Sequence, residues 1–100
     1  MDKVFKALSD PTRRSILQLL KQRAMTAGEL ADCFDLSKPT LSGHFAVLRE
    51  AGLVTSDKVG TTVTYRLNVS TLEEAVLAFA DALGIGLPRR AASNPRTKGG

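Results

Sequence analysis

The chain has 100 residues, 43% apolar and 24% charged, enough for one domain with a modest core. No apolar run approaches the roughly 20 residues of a bilayer span, so membrane insertion is not expected. The formal charge is +4, but residues 1–84 hold ten Lys/Arg against ten Asp/Glu, and the excess comes from Arg89, Arg90, Arg96 and Lys98. Net charge therefore makes no case for a nucleic-acid partner, and the case must come from pattern.

Met1-Asp2-Lys3-Val4-Phe5-Lys6 reads as the start of an amphipathic helix, with no secretory h-region. A single cysteine, Cys33, excludes an internal disulfide and suits a reducing cytosol, so a cytoplasmic, nucleoid-associated location is expected. Asp2 is the expected cap of a short first helix carrying Val4, Phe5 and Leu8. Asp10-Pro11 opens a second helix, Asp as N-cap and Pro at the first position, where a missing N–H costs nothing. Ile16, Leu19 and Leu20 follow the helical period behind it. Thr26-Ala27-Gly28-Glu29 is a capping box for a short third helix with Leu30, Cys33 and Phe34 inside.

Ser37 is the expected N-cap of a fourth helix, whose Leu41, Phe45 and Leu48 form one buried stripe. Gly52 ends that helix as a left-handed C′ residue. The period then changes. Val63, Tyr65 and Leu67 alternate with Thr62, Thr64 and Arg66, the repeat of a half-buried strand, and Val54–Lys58 with Gly60 supplies the rest of a single hairpin. Ser70-Thr71-Leu72-Glu73 reads as a second capping box opening a last helix that ends near Gly84. Leu72, Val76, Phe79, Ala80 and Leu83 make an apolar seam along it, and 85–100 is expected to be a disordered basic tail after a domain of residues 1–84.

The order helix, helix, short loop, helix, hairpin, helix predicts a mainly α winged helix-turn-helix (α-α-α-α-β-β-α), with Thr26–Ala51 as its helix-turn-helix. The fourth helix then enters the major groove. Pro39, Thr40, Ser42, Gly43 and Ala46 lie off its buried stripe; small residues permit close approach, Thr40 and Ser42 can hydrogen-bond base edges, and Pro39 or Ala46 can touch a thymine methyl. Lys38 and the helix N-terminus suit a phosphate. The same residues also suit a plain solvated face. Catalysis lacks an inventory: no Gly-rich phosphate loop and no Cys/His or Ser/His pair at usable spacing are present.

Ala7-Leu8-Ser9-Asp10-Pro11-Thr12-Arg13-Arg14 with Ile16, Leu17 and Leu20 resembles the second-helix opening of ArsR-type winged-helix repressors. Ser37 to Phe45 and Leu48-Arg49-Glu50-Ala51-Gly52-Leu53-Val54 resemble their recognition helix and its exit, and Gly60, Tyr65 and Leu67 are similar to their wing. The resemblance spans residues 3–84 and is nearest to the autorepressor subgroup without metal ligands. It implies a sequence-specific repressor of transcription, binding double-stranded DNA as a homodimer on a near-palindromic operator and excluding polymerase. Val4, Phe5 and Leu8 would face Leu72, Val76, Phe79, Ala80 and Leu83 across the dimer, and the seam argues the same way, since a small monomer has little left to cover it. A protein or small-molecule anti-repressor is compatible with this reading, and no residue identifies one.

The chain departs from the pattern at Gly43 and Thr61, where many relatives carry large polar or basic residues; this implies a shallower salt dependence of DNA binding. The basic tail either compensates along phosphates or is a solvated end. His44, about 60° from Leu41 on the wheel, either donates to a phosphate or bonds within the helix-turn-helix. Of Arg13 and Arg14, one is expected to pair with an acid inside the domain and the other, taken as Arg14, to face DNA. Arg49, Lys58, Thr62 and Arg66 are the further backbone contacts expected from the helix exit and the wing. Glu29-Leu30-Ala31-Asp32-Cys33 keeps one thiol of the family's metal-sensing pair, so no metal or cofactor is expected and Cys33 reads as a half-buried structural thiol. Two alternatives stay open: a repressor sensing redox state or a ligand through Cys33 or the dimer interface, and a protein-interaction winged helix that does not bind DNA.

Overall fold

The computed structural model describes residues 2–88. Chain order is α1 (Asp2–Leu8), α2 (Pro11–Gln22), β1 (Met25–Thr26), α3 (Ala27–Asp32), α4 (Lys38–Glu50), β2 (Val54–Val59), β3 (Thr62–Leu67) and α5 (Val69–Ala82). The expected order of helices and hairpin is present, and Arg89, Arg90, Arg96 and Lys98 lie outside the described residues.

The helix starts follow local chemistry. Asp10 accepts from the backbone N–H of Thr12 and Arg13 ahead of Pro11, satisfying two donors that the first turn of α2 leaves open. Thr26 and Glu29 form a reciprocal capping box on α3. Ser37 Oγ accepts from Thr40 N–H at the start of α4. At the other end Gly52 adopts φ +75°, with Gly52 N–H donating to Arg49 O and Leu53 N–H to Leu48 O. Asp2 already lies in the first turn of α1 and so is not its cap.

The last helix starts earlier than Ser70. Asn68 caps α5, its Oδ1 accepting from Thr71 N–H at 3.2 Å. Asn68 N–H donates to Leu53 O at 2.8 Å, so the chain is fixed directly after β3 and turns into helix there.

The hairpin gains a third strand. Met25 and Thr26 pair antiparallel with Tyr65 and Thr64, giving the order β1-β3-β2. The register of β2 on β3 runs from Val54 opposite Leu67 to Val59 opposite Thr62, closed by Gly60 (φ +62°) and Thr61.

One core joins these parts: Ala7 from α1, Ile16, Leu17 and Leu20 from α2, Met25, Leu30, then Leu41, Phe45 and Leu48 from α4, and Leu53, Val54 and Tyr65. Cys33 is exposed, contrary to the half-buried thiol expected. Helix α3 is so short that it buries only Leu30, and Cys33 at its C-cap folds its Sγ back onto Glu29 O at 3.4 Å. Among the described residues, no helix is long and apolar enough to cross a membrane.

Candidate nucleic-acid interface

Burying Leu41, Phe45 and Leu48 sets the roll of α4. Lys38, Pro39, Thr40, Ser42 and Gly43 are consequently exposed along its first two turns, with Ser37 just ahead of them. Ser37 Oγ donates to Thr40 Oγ1 at 2.8 Å, which steers the Thr40 hydroxyl while leaving its own proton available to another acceptor. A Cβ added at Gly43 would meet nothing within 4 Å, so this surface is open as well as polar. The helix start adds a partial positive charge beside Lys38.

The wing is tied to this helix from behind. Tyr65 of β3 is buried and packs against Phe45, ring centroids 4.4 Å apart and inclined by 34°. Lys58, Thr62 and Arg66 are exposed, and Arg66 Nε lies 3.6 Å from Asp57 Oδ2 across the hairpin. An exposed pair of this kind contributes little to stability and leaves Arg66 free to exchange partners. Arg49 is exposed in the last turn of α4.

The two arginines of α2 are not divided as expected. Among the described residues the Arg13 guanidinium makes no ion pair; Nε donates to Ala7 O at 2.9 Å and Nη2 to Lys6 O at 2.8 Å, while Nη1 lies 3.1 Å from His44 Nδ1. Arg14 Nη1 donates to Leu8 O at 2.7 Å. Both therefore cap the carbonyl end of α1, where a cation also suits the helix dipole. His44 is half-buried and bonded to Arg13 of α2, a partner outside the Thr26–Ala51 helix-turn-helix within which its bond was expected.

The electrostatics of the caps follow from their donors. Desolvation pushes the Asp10 carboxyl up, but the N–H groups of Arg13 and Thr12, with smaller contributions from the nearby His44 and Arg13 side chains, outweigh it and hold the pKa below 3.8. The N–H of Thr26 does the same for Glu29 against its desolvation, helped by the Arg23 charge, whose Nη1 is 3.3 Å from Glu29 Oε2.

Away from α4, an apolar groove of about 300 Å³ runs between α1 and α5, lined by Val4, Phe5, Leu8, Ser9, Ala75, Val76 and Phe79. Phe5 and Phe79 meet edge to face at its floor, centroids 4.1 Å apart and planes at 89°. Helix α5 buries only Ala80 of its 14 residues, while Phe5, Val76 and Leu83 are 46%, 43% and 63% exposed. The expected seam divides: Ala80 is buried in its own chain and Leu72 packs on the core, whereas Val76 and Leu83 stay exposed. Ser9 and Ala75 also belong to the groove and are not singled out by the sequence pattern: Ser9 is polar and lies between α1 and α2, while Ala75 falls on the apolar period of α5, three residues after Leu72, but is small.

Residues 8–57 match a helix-turn-helix domain family. The chain is 45% identical over 76 residues to the transcriptional repressor SdpR of Bacillus subtilis, covering 76% of this chain and 84% of that protein. Among solved structures, an ArsR family transcriptional regulator superposes with a TM-score of 0.72 at 33% identity, covering 83% of this chain and 88% of the other. HlyU from Vibrio cholerae superposes with a TM-score of 0.67 at 31% identity, covering 80% and 87%. Motifs, core and wing agree with these likenesses, and the chain belongs to the ArsR family of winged-helix, DNA-binding transcriptional repressors, which are regulators and not enzymes.

Proposed function

We propose that the protein acts as a homodimer on a near-palindromic operator, inserting one α4 per half-site in the major groove and repressing by excluding polymerase. The observation that carries this reading is the division of α4, apolar residues in the core and Thr40, Ser42 and Gly43 open to solvent. Thr40 and Ser42 read base edges, with Pro39 against a thymine methyl. Ser37, Lys38, Arg14, Arg49, Lys58, Thr62 and Arg66 hold the phosphates, which position the helix without specifying sequence. The unpartnered faces of α1 and α5 supply the dimer contact, centred on Phe5, Val76, Phe79 and Leu83. Such a protein works in the cytoplasm, beside the nucleoid, and autoregulation is its simplest circuit.

Fluorescence anisotropy with a duplex from the gene's own upstream region, against a scrambled duplex over a salt series, tests the reading. Preference for the upstream duplex near physiological salt supports a specific operator there. Equal, steeply salt-sensitive binding to both places the operator elsewhere, and no binding at low salt favours an interaction module instead.

A further inference from the structure

Arg13 stands in the first turn of α2, yet its guanidinium bonds all lead away from that helix. Two reach the closing carbonyls of α1, at Lys6 and Ala7, and the third reaches His44 on α4, 31 positions along the chain. A guanidinium only donates and cannot lose its proton in a protein. His44 Nδ1 must therefore accept, and in the neutral ring the proton sits on Nε2.

His44 also differs from its neighbours. Ser42 and Gly43 are exposed, whereas His44 is half-buried and turned toward the junction of α1 and α2. The helix whose end Arg13 holds is the one that lines the apolar groove with Val4, Phe5 and Leu8.

We infer that Arg13 and His44 form a positioning pair that fixes the recognition helix to the carbonyl end of α1, so that the groove-lining helix and the DNA-facing helix move together. His44 acts here through Arg13 and does not itself touch DNA. The inference rests on the DNA-binding role of α4, and it also makes a claim about the free protein.

The test exploits the two ring nitrogens. In a helix, Asn presents its side-chain oxygen near the place of Nδ1, and Gln presents its polar end near the place of Nε2. His44→Asn keeps the preference for operator over scrambled duplex within about twofold of wild type, while His44→Gln lowers it about tenfold or more, the range that one hydrogen bond from a charged donor supports. Arg13→Lys keeps the charge but not the fork, lowers the preference by a similar factor, and adds no further loss to His44→Gln. The salt slope of binding stays that of wild type in all variants, since no phosphate contact is removed. Retained preference in His44→Gln with loss in His44→Asn, additive losses, or a reduced slope overturns the pair in favour of a direct contact.

The ring nitrogen spectrum of the free protein decides independently of any DNA result. The chain has one histidine, so a single imidazole is observed. At neutral pH it shows the Nε2–H tautomer in wild type and a mixture of tautomers in Arg13→Lys. A mixed or Nδ1–H ring in wild type overturns the inference even if operator binding is specific. A fixed Nε2–H ring alongside absent DNA binding supports the pair and removes the operator reading.

Discussion

Tyr65 is the residue through which the wing and the recognition helix hold one another: its ring lies 4.4 Å from that of Phe45, and its backbone pairs with Met25 on one side and Ser56 on the other. Buried on the central strand, it joins the aromatic contact with α4 to the strand that pairs with both of the others.

Removing either ring should therefore cost more than ordinary surface change. Phe45→Ala is expected to destabilise the fold by about 3–5 kcal/mol, a large share of what a domain of this size has. Part of that loss is shared with Tyr65→Ala. A double-mutant cycle in urea should return a coupling of about 0.5–1.5 kcal/mol, and a coupling near zero would mean that the rings pack independently.

What could be read from the sequence was what is local. Leu41, Phe45 and Leu48 announce the inner face of α4 by spacing alone, and the caps at Asp10, Thr26 and Ser37 are each completed within three residues. By contrast, β1 is two residues long and has no period to detect; it exists because β3 offers Met25 and Thr26 a partner some 40 positions away. The start of α5 depends on Leu53 holding Asn68, a contact between separate parts of the chain, so the local pattern alone points to Ser70 instead. The partner of Arg13 was unreadable for the same reason, since carbonyls carry no sequence signature. Of the residues proposed to contact DNA, exposure on α4 follows from its buried stripe, whereas the groove between α1 and α5 needs the packing of two distant helices.

Two glycines should respond to alanine with opposite sign. Gly52 has φ +75°, and the added Cβ would meet Thr71 Cγ2 at 3.7 Å, an ordinary contact, so the cost is conformational. Gly52→Ala is expected to destabilise by roughly 1–2 kcal/mol. Gly43 lies within α4 with nothing within 4 Å of the added Cβ, so Gly43→Ala should stabilise by roughly 0.5–1 kcal/mol. Thermal melts of the two variants decide, and a shift of the same sign in both contradicts the backbone argument.

Acid should attack the helix caps. Asp10 and Glu29 both titrate below their ordinary values of 3.8 and 4.5 in the fold. A lowered folded pKa means that the unfolded chain takes up protons first, so their contribution is complete above the unfolded values and disappears as pH falls through the folded ones. Stability should thus hold to about pH 5 and decline below it. Asn caps as well as Asp without titrating, so Asp10→Asn should keep neutral-pH stability and flatten part of the acid limb. An unchanged limb in thermal midpoints measured from pH 6 to pH 3 would show that the Asp10 carboxylate has no part in it.

The proposed dimer can be tested without disturbing the fold. Val76 lines the groove and is 43% exposed in the single chain, so Val76→Lys removes little internal packing and should change chain stability by less than about 0.5 kcal/mol. Across a two-fold axis the same change sets two ammonium groups in an apolar contact, where each must be desolvated or the surfaces must separate. Sedimentation equilibrium should show wild type as a dimer and Val76→Lys as a folded monomer by circular dichroism. Operator binding should weaken along with dimerisation, because one recognition helix holds only half of a palindromic site. A Val76→Lys protein that remains dimeric and binds as wild type would put the interface elsewhere than on α1 and α5. A variant that unfolds would instead show that α5 is held by this groove within one chain, and Leu83→Lys, at a position 63% exposed and outside the groove lining, then separates the two roles.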